Sequence, residues 1–304
     1  MTGMTAPRTS APPGGERRQD GRRWRAGLAT GLLVLPTAAW YLLLLLVPLG
    51  ILLVFSVGER APEGGYAPGF TFDNYLNLPA RMTAFSNTIW LAAAGTALCL
   101  VVAYPLAYYL ATRAGSKRTL LLVLVIVPFW TSFLIRTYAW LTILGSTGIP
   151  ALLEGVGLER IVLLNSPPAV MLGIVYNYLP LMVFPLFVSL ERLDKRLLEA
   201  SKDLGAGRVR TFLQVTLPLT LPGVLAGVIL VFIPVMGEYL IPALLGGGKV
   251  FFVGNALVDT FLQSRNWPFG SAMAIGLIVV VLIAVSLYLW LGSRGGGRRD
   301  VSLL

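Results

Sequence analysis

The sequence predicts an all-α membrane protein with six transmembrane helices, and three observations carry that class. Only 12% of the 304 residues are charged while 56% are hydrophobic, and the mean hydropathy is +0.76. Soluble domains carry about 25% charged residues. Apolar runs long enough to cross a bilayer, about 20 residues for about 30 Å of hydrocarbon, recur six times. The net charge of +10 falls on alternate connections rather than in one patch.

Residues 1–26, rich in Pro, Gly and Arg and ending RRWRA, read as a disordered basic tail. The first apolar run is Gly27–Val57. Arg22, Arg23 and Arg25 before it would suit a signal peptide, but the run far exceeds a cleavable core of about 7–15 residues, so an uncleaved helix is expected. A Gly- and Pro-rich loop over 58–82 leads to the second run, Phe85–Ala111. The short basic turn TRAGSKR separates it from the third, Thr119–Leu144. A loop over 145–166 precedes the fourth, Pro167–Leu190. The charged interval Glu191–Pro218 follows, then a fifth run, Leu219–Leu245, a further loop, and a sixth run, Gly270–Leu291. Residues 293–304 form a second basic tail.

Orientation follows from Lys and Arg. Eighteen of the 24 lie in the two tails, at Arg113–Arg118 and in the 191–218 loop, while five (Arg60, Arg81, Arg160, Lys249, Arg265) lie in the other three loops. Both termini and the central loop are therefore expected in the cytoplasm, and the basic charge needs no nucleic acid to explain it. The absence of His removes the commonest proton-transfer side chain and metal ligand. One cysteine, Cys99 in an apolar run, excludes an internal disulfide framework.

The central loop is the longest strongly charged interval between apolar runs. Asp194–Leu204 has helical composition with Gly205 where a C-terminal cap would sit, and Thr211–Leu217 reads as an amphipathic lead-in to Pro218. Two short helices with a glycine bend make a compact knob; an ordinary interfacial loop is the plainer alternative. The run Glu199-Ala200-Ser201, three residues, Gly205, nine residues, Val215-Thr216-Leu217-Pro218 resembles the EAA loop of ABC importer permeases, EAA-x3-G-x9-I-x-LP. Ser201 for the second Ala and Val215 for Ile are its departures. PFWTSFLIRTYAW (128–140), MGEYLIPALLGG (236–247) and RNWPFGSAMAI (265–275) resemble the spermidine/putrescine permease subfamily, over roughly residues 28–292.

That resemblance implies the type I ABC importer permease fold in a bacterial inner membrane. It implies a small cationic solute, foremost a polyamine, though relatives carry other small solutes. Its implied partners are a second permease subunit (a different chain), an ABC ATPase dimer, an extracytoplasmic solute-binding protein and membrane lipid. It also implies that Glu199, Ala200, Ser201, Asp203, Gly205, Leu217 and Pro218 couple the chain to the ATPase. No cofactor is expected in this chain; ATP and Mg belong to the ATPase. The residues agree, since the single Gly-Lys step, Gly248-Lys249, is followed by Val250 and lacks the leading glycine of a phosphate loop.

Two ionisable residues fall inside apolar runs, Arg136 and Glu238. Counted along straight helices from Thr119 and Leu219, they lie about 26 Å and 28 Å in. They could form a structural ion pair, or Glu238 with Tyr239 could face the solute path and attract an ammonium group. The aromatics Trp130, Tyr138, Trp140, Tyr176 and Tyr178 offer ring faces to a cation, with helix packing as the plainer reading. Asn177 beside Pro180 could mark a broken helix exposing carbonyls, and Asp259 could meet solute or its delivery protein. An ion-coupled secondary transporter is the first alternative, weakened by the lone intramembrane carboxylate. A membrane-embedded enzyme is the second, and the inventory supplies no catalytic set.

Overall fold

The structure is a computed structural model that describes residues 16–295 apart from 158 and 160; side chains are described within 34–292, apart from those two and 195. The chain divides into a unit ending at Val54 and one beginning at Phe55. The first unit holds most of α1, Glu16–Ser56, long and apolar enough in its Val34–Ser56 part to cross a membrane. The helix starts eleven residues before the apolar run. The expected disordered tail is therefore helical over 16–26, where Glu, Arg and Gln favour a helix, and its first fifteen residues lie outside the described part.

In the second unit, a two-stranded antiparallel ribbon, β1 (Glu59–Arg60) and β2 (Tyr66–Ala67), pairs Glu59 with Ala67. It is stapled to the loop before the last helix. The Gly65 N–H donates to the Arg265 carbonyl at 2.6 Å, and the Arg60 guanidinium donates to the Ser264 carbonyl at 2.7 Å. A short helix α2 (Asp73–Leu76) and a 3-10 turn (Leu78–Arg81) lead into α3 (Met82–Thr112). Then come α4 (Arg118–Trp130), α5 (Phe133–Leu144), α6 (Ile149–Gly155) and α7 (Pro167–Glu191). The central loop forms α8 (Lys195–Asp203), α9 (Arg208–Thr211), a π-helical turn (Phe212–Thr216) and α10 (Leu217–Leu219). Finally come α11 (Leu221–Met236), α12 (Leu240–Leu245), α13 (Val253–Val258) and α14 (Trp267–Gly295).

Four of the described helical segments can each cross a membrane, and six can if each of two bent pairs is one span. The bends correct two expected straight helices. The third run breaks at Thr131-Ser132, and the helices on either side meet at 91°. Both residues are extended there, and Thr131 Oγ1 donates to the Pro128 carbonyl at 2.6 Å, so a side chain competes with the helical ladder. The fifth run is broken between Met236 and Leu240, and a 67° bend at Thr220 marks its start, between the lead-in and α11. Pro222 lacks the N–H that would reach back across the bend, and Thr220 Oγ1 takes up the Thr216 carbonyl at 2.8 Å. Conversely α7 runs unbroken through Asn177 and Pro180, so the expected break is absent there.

The core is built where α3, α7 and α11 pack together. Lipid tails supply no hydrophobic driving force between helices, so close packing of small residues has to hold them. Gly223 shows this: a Cβ built on it would lie 2.4 Å from Ser189 Cβ and 2.8 Å from the Pro185 carbonyl. Gly223→Val should force α7 and α11 apart and lower stability by about 1–3 kcal/mol. Thermal unfolding of the detergent-purified chain checks this; an unchanged transition would show that the two helices separate freely.

Candidate functional site

Two places concentrate polar chemistry. The first is the knob. Asp194 caps α8, its Oδ1 accepting from the Arg196 N–H at 2.9 Å. At the other end Gly205 has φ +79°. Its N–H donates to the Lys202 carbonyl at 2.8 Å, and the Ala206 N–H donates to the Ser201 carbonyl at 3.0 Å. That pair of bonds is the Schellman motif, which turns the chain sharply and satisfies the last carbonyls of α8. The Ser201 and Thr211 hydroxyls, 3.0 Å apart, tie α8 to α9.

Of the expected coupling residues, Glu199, Ala200, Asp203 and Gly205 are exposed on the knob, Ser201 is half-buried at its hinge, and Leu217 and Pro218 lie in α10 at its exit. Leu204 is 88% exposed at the turn, with Leu197, Val209 and Leu213 also exposed. An Arg118–Glu191 ion pair at 2.5 Å joins the start of α4 to the end of α7 beside the knob. Both side chains are well exposed, so it contributes about 0–1 kcal/mol.

The second place is the corner between α11 and α12. Glu238 is not inside a helix, because α11 ends at Met236 and α12 begins at Leu240. Its Oε1 accepts from the backbone N–H groups of Tyr239, Leu240 and Ile241 at 3.1, 2.8 and 3.3 Å. Its Oε2 accepts from the Tyr178 hydroxyl at 2.5 Å. Asn255 pins the corner from below: its Nδ2 donates to the Tyr239 carbonyl at 2.8 Å, and its Oδ1 accepts from the Phe252 N–H. The carboxylate thus occupies the orphan donors of a helix start. An open cavity of about 350 Å³ lies against it, lined by Phe133, Tyr178, Pro234, Gly237, Glu238, Tyr239 and Leu240.

This geometry revises several expectations. The helix breaks invalidate the straight-helix depths of Arg136 and Glu238. No ion pair joins the two among the described residues, because Glu238 spends its oxygens on backbone and Tyr178. Arg136, on α5, stands over the rings of Phe129 and Phe133 instead, 5.4 and 5.8 Å from their centroids. Among the aromatics named from sequence, Tyr178 and Tyr239 meet at the cavity. Trp130 and Tyr138 face outward, and Tyr176 packs edge-on against Trp140 with centroids 5.4 Å apart. Asn177 is 1% exposed and its Nδ2 donates to the Gly173 carbonyl, which makes it a helix-packing residue. Asp259 is half-buried at the start of a π-helical turn, away from the cavity lining. Sequence reasoning missed Phe133 and Asn255. The polar Asn in the apolar stretch FFVGNAL was the available signal for the second; the first lay within the segment 128–140 that carries the resemblance but was not singled out.

Residues 103–294 match the family model described as binding-protein-dependent transport system inner membrane component. The chain belongs to that family. Membership makes it a multi-pass inner-membrane transport subunit, a permease rather than an enzyme. The match ends close to the end of α14 and includes both the knob and the Glu238 corner. The chain is 42% identical to the spermidine/putrescine transport system permease protein PotB of Haemophilus influenzae, covering 82% of this chain and 89% of that one. It is 39% identical to the Escherichia coli protein of the same name, covering 86% and 97%. A chain of the crystal structure of a bacterial alginate ABC transporter, in complex with alginate pentasaccharide-bound periplasmic protein, superimposes with TM-score 0.69. At 18% identity over 91% of this family member and 98% of that chain, it shows the shared permease fold.

Proposed function

We propose that this chain is one of two permease subunits of an ATP-driven importer for a polyamine such as spermidine or putrescine. The observation that carries the reading is the 42% identity to a spermidine/putrescine permease along most of both chains. The chain contributes half of the path, and its partner is a different permease subunit. The knob enters the ATPase dimer, where ATP and Mg are held. ATP-driven closure of the dimer pulls the two knobs together and switches the access of the path. The Schellman turn makes α8 a short lever, and exposed Leu204 and Val209 supply its contact surface. An extracytoplasmic solute-binding protein delivers the solute at the opposite face, the one carrying the β1–β2 ribbon. Both termini and the knob face the cytoplasm, a reading supported by the distribution of Lys and Arg.

Within the path, the Glu238 carboxylate with the rings of Phe133, Tyr178 and Tyr239 offers a negative charge and π faces to a passing ammonium. Expressed with its partner subunits, the chain should support uptake of labelled spermidine or putrescine that stops when the ATPase is inactivated. Uptake that persists without ATP hydrolysis, driven by an ion gradient, would overturn the reading. Competition by a neutral or anionic solute, but not by polyamines, would move the substrate class.

A further inference from the structure

Arg136 is 7% exposed, and its Nε is fully buried with no hydrogen-bond partner. It makes no side-chain hydrogen bond and no ion pair among the described residues; it stands over the rings of Phe129 and Phe133, within electrostatic reach of Tyr176 and Tyr178. A buried N–H without an acceptor is unfavourable, and two ring contacts supply no acceptor. Glu238 does not pair with it among the described residues, its oxygens accepting instead from Tyr178 and three backbone N–H groups. Among the described residues, then, nothing supplies an acceptor to this guanidinium.

We infer that Arg136 receives a carboxylate from the second permease subunit, and that the segment Phe129–Tyr138 is the contact between the two subunits. The inference rests on the two-permease reading above. The chemistry around the guanidinium fits a protein partner. Trp130 is 82% exposed, and Phe129, Leu134, Ile135 and Tyr138 on the same segment are also exposed. An arginine within an aromatic and aliphatic surface is the usual composition of an interface centre, where surrounding apolar contacts exclude water. Arg is also the residue best shaped to take a carboxylate with two parallel bonds. A polyamine is excluded as the occupant by charge.

The test is copurification of the second permease subunit with this chain, tagged, in the complete complex. Arg136→Met should lower the retained second subunit at least tenfold while membrane insertion of this chain is unchanged, because the substitution adds apolar surface. Arg136→Lys, which keeps the charge but not the fork, should retain an intermediate amount. Arg136→Glu should abolish retention and regain it when one intramembrane carboxylate of the second subunit is changed to Arg, which separates a lost pair from a misfolded chain. Wild-type retention with Arg136→Met overturns the inference. So does loss of a bound anionic lipid from that variant, seen by native mass spectrometry, with subunit retention unchanged. If the wild-type chain itself retains no second permease subunit, the functional reading fails and takes the inference with it.

Discussion

Gly205→Val should uncouple ATP hydrolysis from uptake, lowering transport about tenfold or more while the chain still inserts in the membrane. No atom lies within 4 Å of a Cβ built at Gly205, so the effect is one of backbone conformation rather than of space. At φ +79° a β-branched residue is strained by about 1–2 kcal/mol or more. Relief of that strain breaks the bonds from the Gly205 and Ala206 N–H groups and lets α8 swing relative to α9. A lever that no longer holds its angle transmits no movement, and each 1.4 kcal/mol is about a factor of ten. Gly205→Asn is the control, because Asn tolerates the left-handed region and should keep most of the coupling. Uptake and ATPase activity measured together in proteoliposomes decide it. Normal coupled uptake by the valine variant would remove the loop from the coupling step.

The second large effect is expected at Glu238, where two substitutions separate charge from architecture. Glu238→Gln keeps an oxygen for the three backbone N–H groups but removes the negative charge. A carboxylate and an ammonium 4 Å apart interact by about 4 kcal/mol at an effective dielectric of 20, and a third of that is tenfold. The four donors already on the carboxylate blunt that attraction, so about a tenfold rise in KM for polyamine uptake is expected at unchanged expression. Glu238→Ala should instead reduce the yield of folded chain. It leaves the donors of the α11–α12 corner and the buried Tyr178 hydroxyl unsatisfied, at about 1–3 kcal/mol for a buried group. Unchanged uptake by the glutamine variant would leave Glu238 as the clamp of the corner and nothing more.

The knob was legible because its determinants are local. Asp194 before a helical run, Gly205 after it and Pro218 beyond are signals within one loop, and each sits where its spacing places it. The helix ends also came close, as at Pro167, where Ser166 caps α7 by accepting from the Ala169 N–H. The 91° corner did not show itself. Thr131-Ser132 lies inside one long, predominantly apolar run, and hydropathy does not distinguish a straight helix from two bent ones. The Arg136–Glu238 pairing failed because the break after Met236 presents backbone N–H groups to the Glu238 carboxylate, which also accepts from Tyr178.

By itself, then, the sequence determined the membrane class, the six apolar runs, the two-helix knob and the family, since these rest on composition and on spacing within single segments. Only the tertiary structure decided what the two intramembrane charges do. A carboxylate in an apolar run could have met a cation, a solute or a helix end. The choice fell to three backbone N–H groups freed where α11 stops, and to a tyrosine sixty residues earlier that packing brings to 2.5 Å. Such partners depend on where the chain breaks and which helices meet, and those outcomes belong to the packing of the whole fold.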